Sequence, residues 1–245
     1  MKTSIKLFIT CTSLFILLNS CILDAQNRIT PSKNYINKSF TLEAFDRIEC
    51  DFVGNIIYTQ SNEVSAEIYG SDNIVPLVEI KVNNNTLYIS VKDNNKIRLG
   101  RSNLRLSISS PSIHFINAKG VGNINLDGEI STDKLEILSE GVGDISTNSL
   151  NCKDLKVTSK GVGSVELKGK STNAFYSLYG VGNIRAYKLE SKKVDCFLTG
   201  VGNINCYASE SIDVNSKGVG NIKYKGNPQD KHISKEGVGS VKGVN

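Results

Sequence analysis

The sequence predicts an all-β protein: a single-stranded parallel β-helix, or β-solenoid, with rungs of about 20 residues, capped by an N-terminal β subdomain. Three observations carry that prediction. The tripeptide Gly-Val-Gly occurs seven times, beginning at Gly120, Gly141, Gly161, Gly180, Gly200, Gly218 and Gly237, in steps of 21, 20, 19, 20, 18 and 19 residues. A near-constant period of this size marks stacked repeats. Around each copy apolar residues recur at period two, as strands that face a core require. Finally, no amphipathic helical pattern appears after residue 20, and the 245 residues include only 4 Pro, 1 Met and no Trp.

Taken in order, residues 1–20 read as a leader to be left out of the fold. Lys2 and Lys6 form its basic start, and Leu7–Leu18 is an apolar run too short for a membrane span of about 20 residues. Leu18-Asn19-Ser20-Cys21 then resembles a bacterial lipobox, with Cys21 as the lipid attachment site. The alternative is ordinary cleavage after Ala25. Loss of Lys2 and Lys6 lowers the formal net charge from +5 to +3. The remaining charges are interspersed, without a basic block, which argues against nucleic acid as a partner.

Residues 21–39 lack periodicity and read as a tether. Residues 40–111 read as the N-terminal β subdomain, covering the first rung so that no strand edge is left bare. Its strands are expected at Thr41–Cys50, Phe52–Gln60, Ser65–Tyr69, Val78–Val82, Thr86–Val91 and Leu104–Ser109, with a turn at Asn83-Asn84-Asn85 because Asn tolerates the left-handed region. Lys92–Ser102 reads as an exposed loop. Phe52-Val53-Gly54-Asn55-Ile56 looks like a worn copy of the repeat.

Residues 112–245 form the repeat solenoid. Columns expected to face inward stand six and four residues before the first glycine, one after it (Val121, Val142, Val162, Val181, Val201, Val219 and Val238) and four after it (Ile124, Ile145, Val165, Ile184, Ile204, Ile222 and Val241). The interval of three between the last two columns breaks the alternation, so the chain must bend there. Glycine supplies the bend. The residues that follow (Asn123, Asp144, Ser164, Asn183, Asn203, Asn221 and Ser240) should form a structural corner ladder. Six rises of about 4.8 Å make the repeat region about 29 Å long.

These residues carry a family resemblance. The repeated Gly-Val-Gly-Asn-Ile, after a half that opens Phe40-Thr41-Leu42-Glu43-Ala44-Phe45-Asp46-Arg47-Ile48, resembles the family called "putative auto-transporter adhesin, head GIN domain". The resemblance spans about residues 40–245. It implies a β-solenoid in a secreted or lipid-anchored envelope protein of the kind frequent in Bacteroidota, and it transfers no catalytic residue. No translocator barrel follows Gly237, so an autotransporter in the strict sense is not expected. Surface and periplasmic placement at the outer membrane both stay open.

No chemistry assembles from the remaining residues. Phosphate-cradling glycine loops need a following helix, whereas each copy here continues into a strand. Calcium β-rolls need an Asp in every turn, and only Asp144 occupies that column. Glycoside hydrolysis needs two carboxylates flanking one bond, but the carboxylates are scattered, and His114 and His232 lie at opposite ends of the repeats. We therefore expect no metal, no cofactor and no enzyme. Cys196 and Cys206 flank Gly200, as a disulfide or as two small buried apolar residues. Tyr179, Tyr187 and Tyr207 are the candidate surface for a glycan or an envelope protein, since each offers an apolar face with a polar tip. The other expected partners are the membrane, through the lipid anchor, and a second copy of the chain, through the rung begun at Gly237.

Overall fold

The computed structural model describes residues 29–92 and 103–244. The expected leader, Cys21, the alternative cleavage site after Ala25 and, apart from Lys92, the expected Lys92–Ser102 loop lie outside them. Sixteen strands share one sheet that winds through the described residues. Five long ones, β9 (Ile124–Ser139), β10 (Ile145–Ser159), β11 (Val162–Leu178), β12 (Val181–Leu198) and β13 (Val201–Ser216), each run through most of a rung. They pair in parallel with like residues stacked. Ile124, Ile145, Val165, Ile184 and Ile204 form one buried column, and Ile137, Val157, Tyr176, Cys196 and Val214 another. The pairing slips between Thr147 and Ser149, Glu166 and Lys168, and Arg185 and Glu190. These slips fall in the return segments after the corner. They let repeats of unequal length stack while the columns stay aligned.

One expected column is reversed. The valines of Gly-Val-Gly face solvent: Val142, Val162, Val181, Val201 and Val219 are each about half exposed. The column two residues before the first glycine is buried instead, as Ser139, Ser159, Leu178, Leu198 and Ser216. The bend spans both glycines rather than one peptide, so the valine sits at its outer apex. Inward alternation stops at the earlier column and resumes at the isoleucine.

The worn copy is a true rung. Here β2 (Arg47–Asp51) and β3 (Asn55–Gln60) stack in parallel on β8 (Phe115–Ala118) and β9, and Val53 bridges Val121. On its other side the same rung carries β6 (Thr86–Val91) against β2 and β7 (Arg105–Ser110) against β3. A rung early in sequence is therefore sandwiched between two later ones. The end is closed antiparallel. β5 (Val78–Asn83) forms a hairpin with β6, and β4 (Ser65–Ser71) lies against β7. Asn84 and Asn85 adopt φ of 48° and 58° in the hairpin turn, a conformation their short polar side chains tolerate.

Part of the expected tether is structured. β1 (Tyr35–Phe40) adds to β4 as the outermost strand, with Tyr35 stacked on Tyr69 at 5.5 Å. It is exposed from Tyr35 to Ser39, with only Phe40 half-buried, so it carries no alternation to read. At the other end β14 (Ile222–Lys225), β15 (Asp230–Lys235) and β16 (Val241–Gly243) make the last rungs. One contiguous core runs from Phe45 to Tyr224.

Candidate functional site

The corner explains why the repeat needs two glycines. At the first, a Cβ would overlap the backbone of the rung beneath: Gly141 meets the carbonyl oxygen of Gly120, and Gly161 that of Gly141. At the second, φ lies between +132° and +151° from Gly122 to Gly239 and a Cβ would again strike the glycine below. Backbones that pass this closely exchange hydrogen bonds across rungs, such as Val142 N–H to Gly120 C=O at 2.9 Å and Gly143 N–H to Val162 C=O at 2.9 Å.

Beside the corner the polar column hydrogen-bonds from rung to rung. The Oδ1 atoms of Asn55, Asn123 and Asp144 accept the backbone N–H groups of Asn123, Asp144 and Ser164 at 3.2, 2.9 and 2.7 Å. Asn183 accepts from Asn203, Asn203 from Asn221, and Asn221 from Ser240, at 3.2, 3.0 and 3.0 Å. Asn203 Nδ2 also donates to Asn183 Oδ1 at 2.9 Å. This column is structural and offers no free ligand-binding set.

The three tyrosines do not converge. Tyr179 is exposed at the corner, one residue before Gly180. Tyr187 is half-buried, with Lys225 Nζ 5.5 Å from its ring centre. Tyr207 pairs with Glu190 rather than with Tyr187, because a register slip intervenes. Cys196 and Cys206 face each other in the core with sulfurs 3.8 Å apart and are free thiols.

The outer face of β9 to β13, before the corner, holds a feature that column-by-column reading missed. An open groove of about 450 Å³ runs along Lys134, Asp154, Asn173, Lys193 and Ser211, which are register partners on five successive rungs. Lys156, Phe175 and Asp195 line its other side. Phe175 is half-buried and packs on Phe197 with ring centres 5.0 Å apart. Asn173 Nδ2 donates to Asp154 Oδ1 at 2.7 Å, and Lys156 pairs with Glu136 at 2.8 Å. Partial burial, with the Asp213 carboxylate one rung on, pushes the Asp195 carboxyl up from its ordinary range. A sequence signal was present in part: Phe175 stands between Lys156 and Asp195, and Phe197 between Ser177 and Asn215, in outward columns that also hold Phe115 and Leu138.

This surface is poorly arranged to cleave a glycosidic bond. Asp195 and Asp213 are side by side on one sheet face, whereas glycosidase carboxylates flank the bond from two sides. Burial pushes the Cys50 and Cys152 thiols up to about 12, so neither is a thiolate nucleophile at neutral pH. Among the described residues no cluster of three or more His, Cys, Asp or Glu could hold a metal ion, and no helix is long and apolar enough to cross a membrane.

A stacked β-solenoid with an open groove across its outer sheet face and sealed thiols defines a repeat-scaffold protein. The chain belongs to the family described as "Putative auto-transporter adhesin, head GIN domain", whose model matches residues 44–228. It is similar to a solved structure described as a putative adhesin from Bacteroides fragilis, with 43% identity and a TM-score of 0.86 over 88% of this chain and 100% of that one. Two further solved structures share the fold. One, described as a putative lipid binding protein from Parabacteroides distasonis, is 22% identical with a TM-score of 0.66, over 88% of this chain and 99% of that one. The other, described as a putative adhesin from Parabacteroides merdae, is 21% identical with a TM-score of 0.66, over 89% and 100%. No curated protein matches the chain. The family points to an exported or cell-surface protein with an adhesion-like role.

Proposed function

We propose that this protein is a non-enzymatic, lipid-anchored adhesion protein of the outer membrane that binds a saccharide chain along the groove beside Phe175. The groove carries the reading. Its in-register ladder of Lys134, Asp154, Asn173, Lys193 and Ser211 spans four rises, about 19 Å. It offers hydrogen-bond donors and acceptors at a regular spacing. Phe175 supplies the apolar face against which a sugar ring can lie, and Lys156, Lys193 and Asp195 reach its edges. Pockets of several hundred Å³ with an aromatic wall and a few placed polar groups are the usual form of a small-ligand site. The lipid anchor rests on Cys21 in the lipobox-like stretch.

The experiment is a glycan array probed with the protein and with Phe175→Ala, followed by incubation with each bound polysaccharide. The expected result is selective binding, weakened about tenfold in the variant, with every bound chain left at its original length. Unchanged binding by the variant would remove the groove from the reading. Chain shortening would replace adhesion with catalysis.

A further inference from the structure

The seven valines that turn outward make a continuous apolar ridge down one edge of the rod. Val121, Val142, Val162, Val181, Val201, Val219 and Val238 are bridged in parallel from rung to rung. Their exposures run from 41% to 71%. Monomers seldom leave so regular an apolar strip in water without a use. The column beside it, one residue before each corner, reads Lys119, Glu140, Lys160, Tyr179, Thr199, Lys217 and Glu236. Read backwards against itself, this column is charge-complementary. Lys119 meets Glu236, Glu140 meets Lys217, Lys160 meets Thr199, and Tyr179 meets Tyr179.

We propose that the valine ridge is the interface of an antiparallel two-fold dimer, with the axis crossing the ridge at the Val181 rung. A two-fold axis that lies in the interface plane, perpendicular to the stack, reverses rung order and keeps each lateral column opposite itself. The valines then oppose valines, and the flanking column supplies four ion pairs, two of each kind, with the Tyr179 rings at the axis. The polar column on the other flank also tolerates this register, because its one charge, Asp144, falls opposite Asn221. An axis parallel to the stack would instead set the charged column against the Asn ladder, where nothing complements it.

Within one chain Lys160 pairs with Glu140 at 3.1 Å and Lys217 with Glu236 at 3.7 Å. In the dimer Glu140 and Glu236 would each lie between their own lysine and one from the second copy. The strip is about 29 Å long and one or two columns wide to either side, which puts the interface at the small end, below about 1,200 Å² in total. The dimer is accordingly reversible, with a Kd in the range of about 10–100 µM.

Sedimentation of the purified protein across that concentration range, at low and high salt, tests the proposal. A monomer–dimer equilibrium weakened by salt is expected. Val181→Lys, which sets a lysine against its own copy at the axis, should abolish it while the half-exposed site keeps the variant folded, as read by circular dichroism. Lys119→Glu and Glu236→Lys should each weaken the dimer about three- to tenfold, and the double variant should restore it. Restoration supports the antiparallel register. A protein that stays monomeric throughout, or a double variant as weak as the singles, overturns it, whatever other protein or surface the ridge is then found to meet.

Discussion

Gly182→Ala and Gly128→Ala separate the two reasons a β-solenoid corner needs glycine. Both residues have positive φ, +151° and +76°. A left-handed or glycine-only conformation costs an L residue about 1–2 kcal/mol. Gly128 has nothing within 4 Å of a Cβ placed on it, so that cost is the whole effect. At Gly182 the new Cβ would overlap the carbonyl oxygen of Gly163, well inside the 3.0 Å below which Cβ atoms are not found. The rungs must part, and the corner hydrogen bonds at risk include Val181 N–H to Gly161 C=O and Val201 N–H to Gly180 C=O, each 3.0 Å. Two such bonds lost at about 0.5–1.5 kcal/mol each raise the total to about 2–5 kcal/mol. By thermal unfolding Gly128→Ala should melt a few degrees lower and Gly182→Ala about 10 °C lower. If the two variants melt together, close approach between rungs is not what the second glycine provides.

Two further substitutions probe the core and the groove. The hydroxyl of Tyr176 is fully buried without a hydrogen-bond partner. Cys152, Cys196 and Cys206 lie near it, and the neighbouring Ser191 hydroxyl is engaged with Ser171 and with the carbonyl of Leu189. Tyr176→Phe removes a desolvated polar atom and should stabilise by about 1 kcal/mol, seen as a melting point about 2–4 °C higher. Asp195 binds its proton more tightly folded than unfolded, because partial burial and Asp213 disfavour its charge. Its contribution to stability is therefore greatest in acid and falls as pH rises from the ordinary carboxylate value of 3.8 through the raised one. Asp195→Asn should then stabilise at neutral pH relative to the parent, with the difference shrinking toward pH 3 in paired urea titrations.

What the sequence disclosed was set by how strongly each feature repeats. The rung period, the Ile column and the Asn-bearing corner recur seven times, and the stacking that they imply is the stacking observed. The orientation of Val was misread because a three-residue interval admits two bends. One turns the chain between Val and Gly; the other, adopted here, carries both glycines and Val across the corner. Only the close passage of Gly141 over Gly120 decides between them, and that is a contact between rungs 21 residues apart. β1 was illegible for the opposite reason. Exposed on both faces up to Ser39, Tyr35–Phe40 has no pattern, and its pairing with β4 is long-range. The groove needed the stack as well, since Lys134, Asp154, Asn173, Lys193 and Ser211 become neighbours only through register.

The outward valines pose a sharper question than the glycines. Threonine is also β-branched, suits a strand equally well and is nearly the same shape, yet no repeat uses it, while the adjoining column varies freely among Lys, Glu, Tyr and Thr. A strip half in water gains solubility from hydroxyls, so uniform valine implies that the apolar surface itself is needed. Two needs are conceivable, and they part under one variant. If the valines serve the rod by packing on each other up the ridge, Val162→Thr/Val181→Thr/Val201→Thr should melt about 10 °C lower or more and sediment as the parent does. If they serve the second copy, the triple variant should melt no more than about 6 °C below the parent, because exposed substitutions away from the core cost about 0.5 kcal/mol or less each and 1 kcal/mol shifts melting by about 2–4 °C. Its dimer should at the same time weaken more than about tenfold. The exposures near 50% at these three positions favour the second outcome: half of each side chain is already packed against its neighbours, and the other half faces only water until a partner covers it.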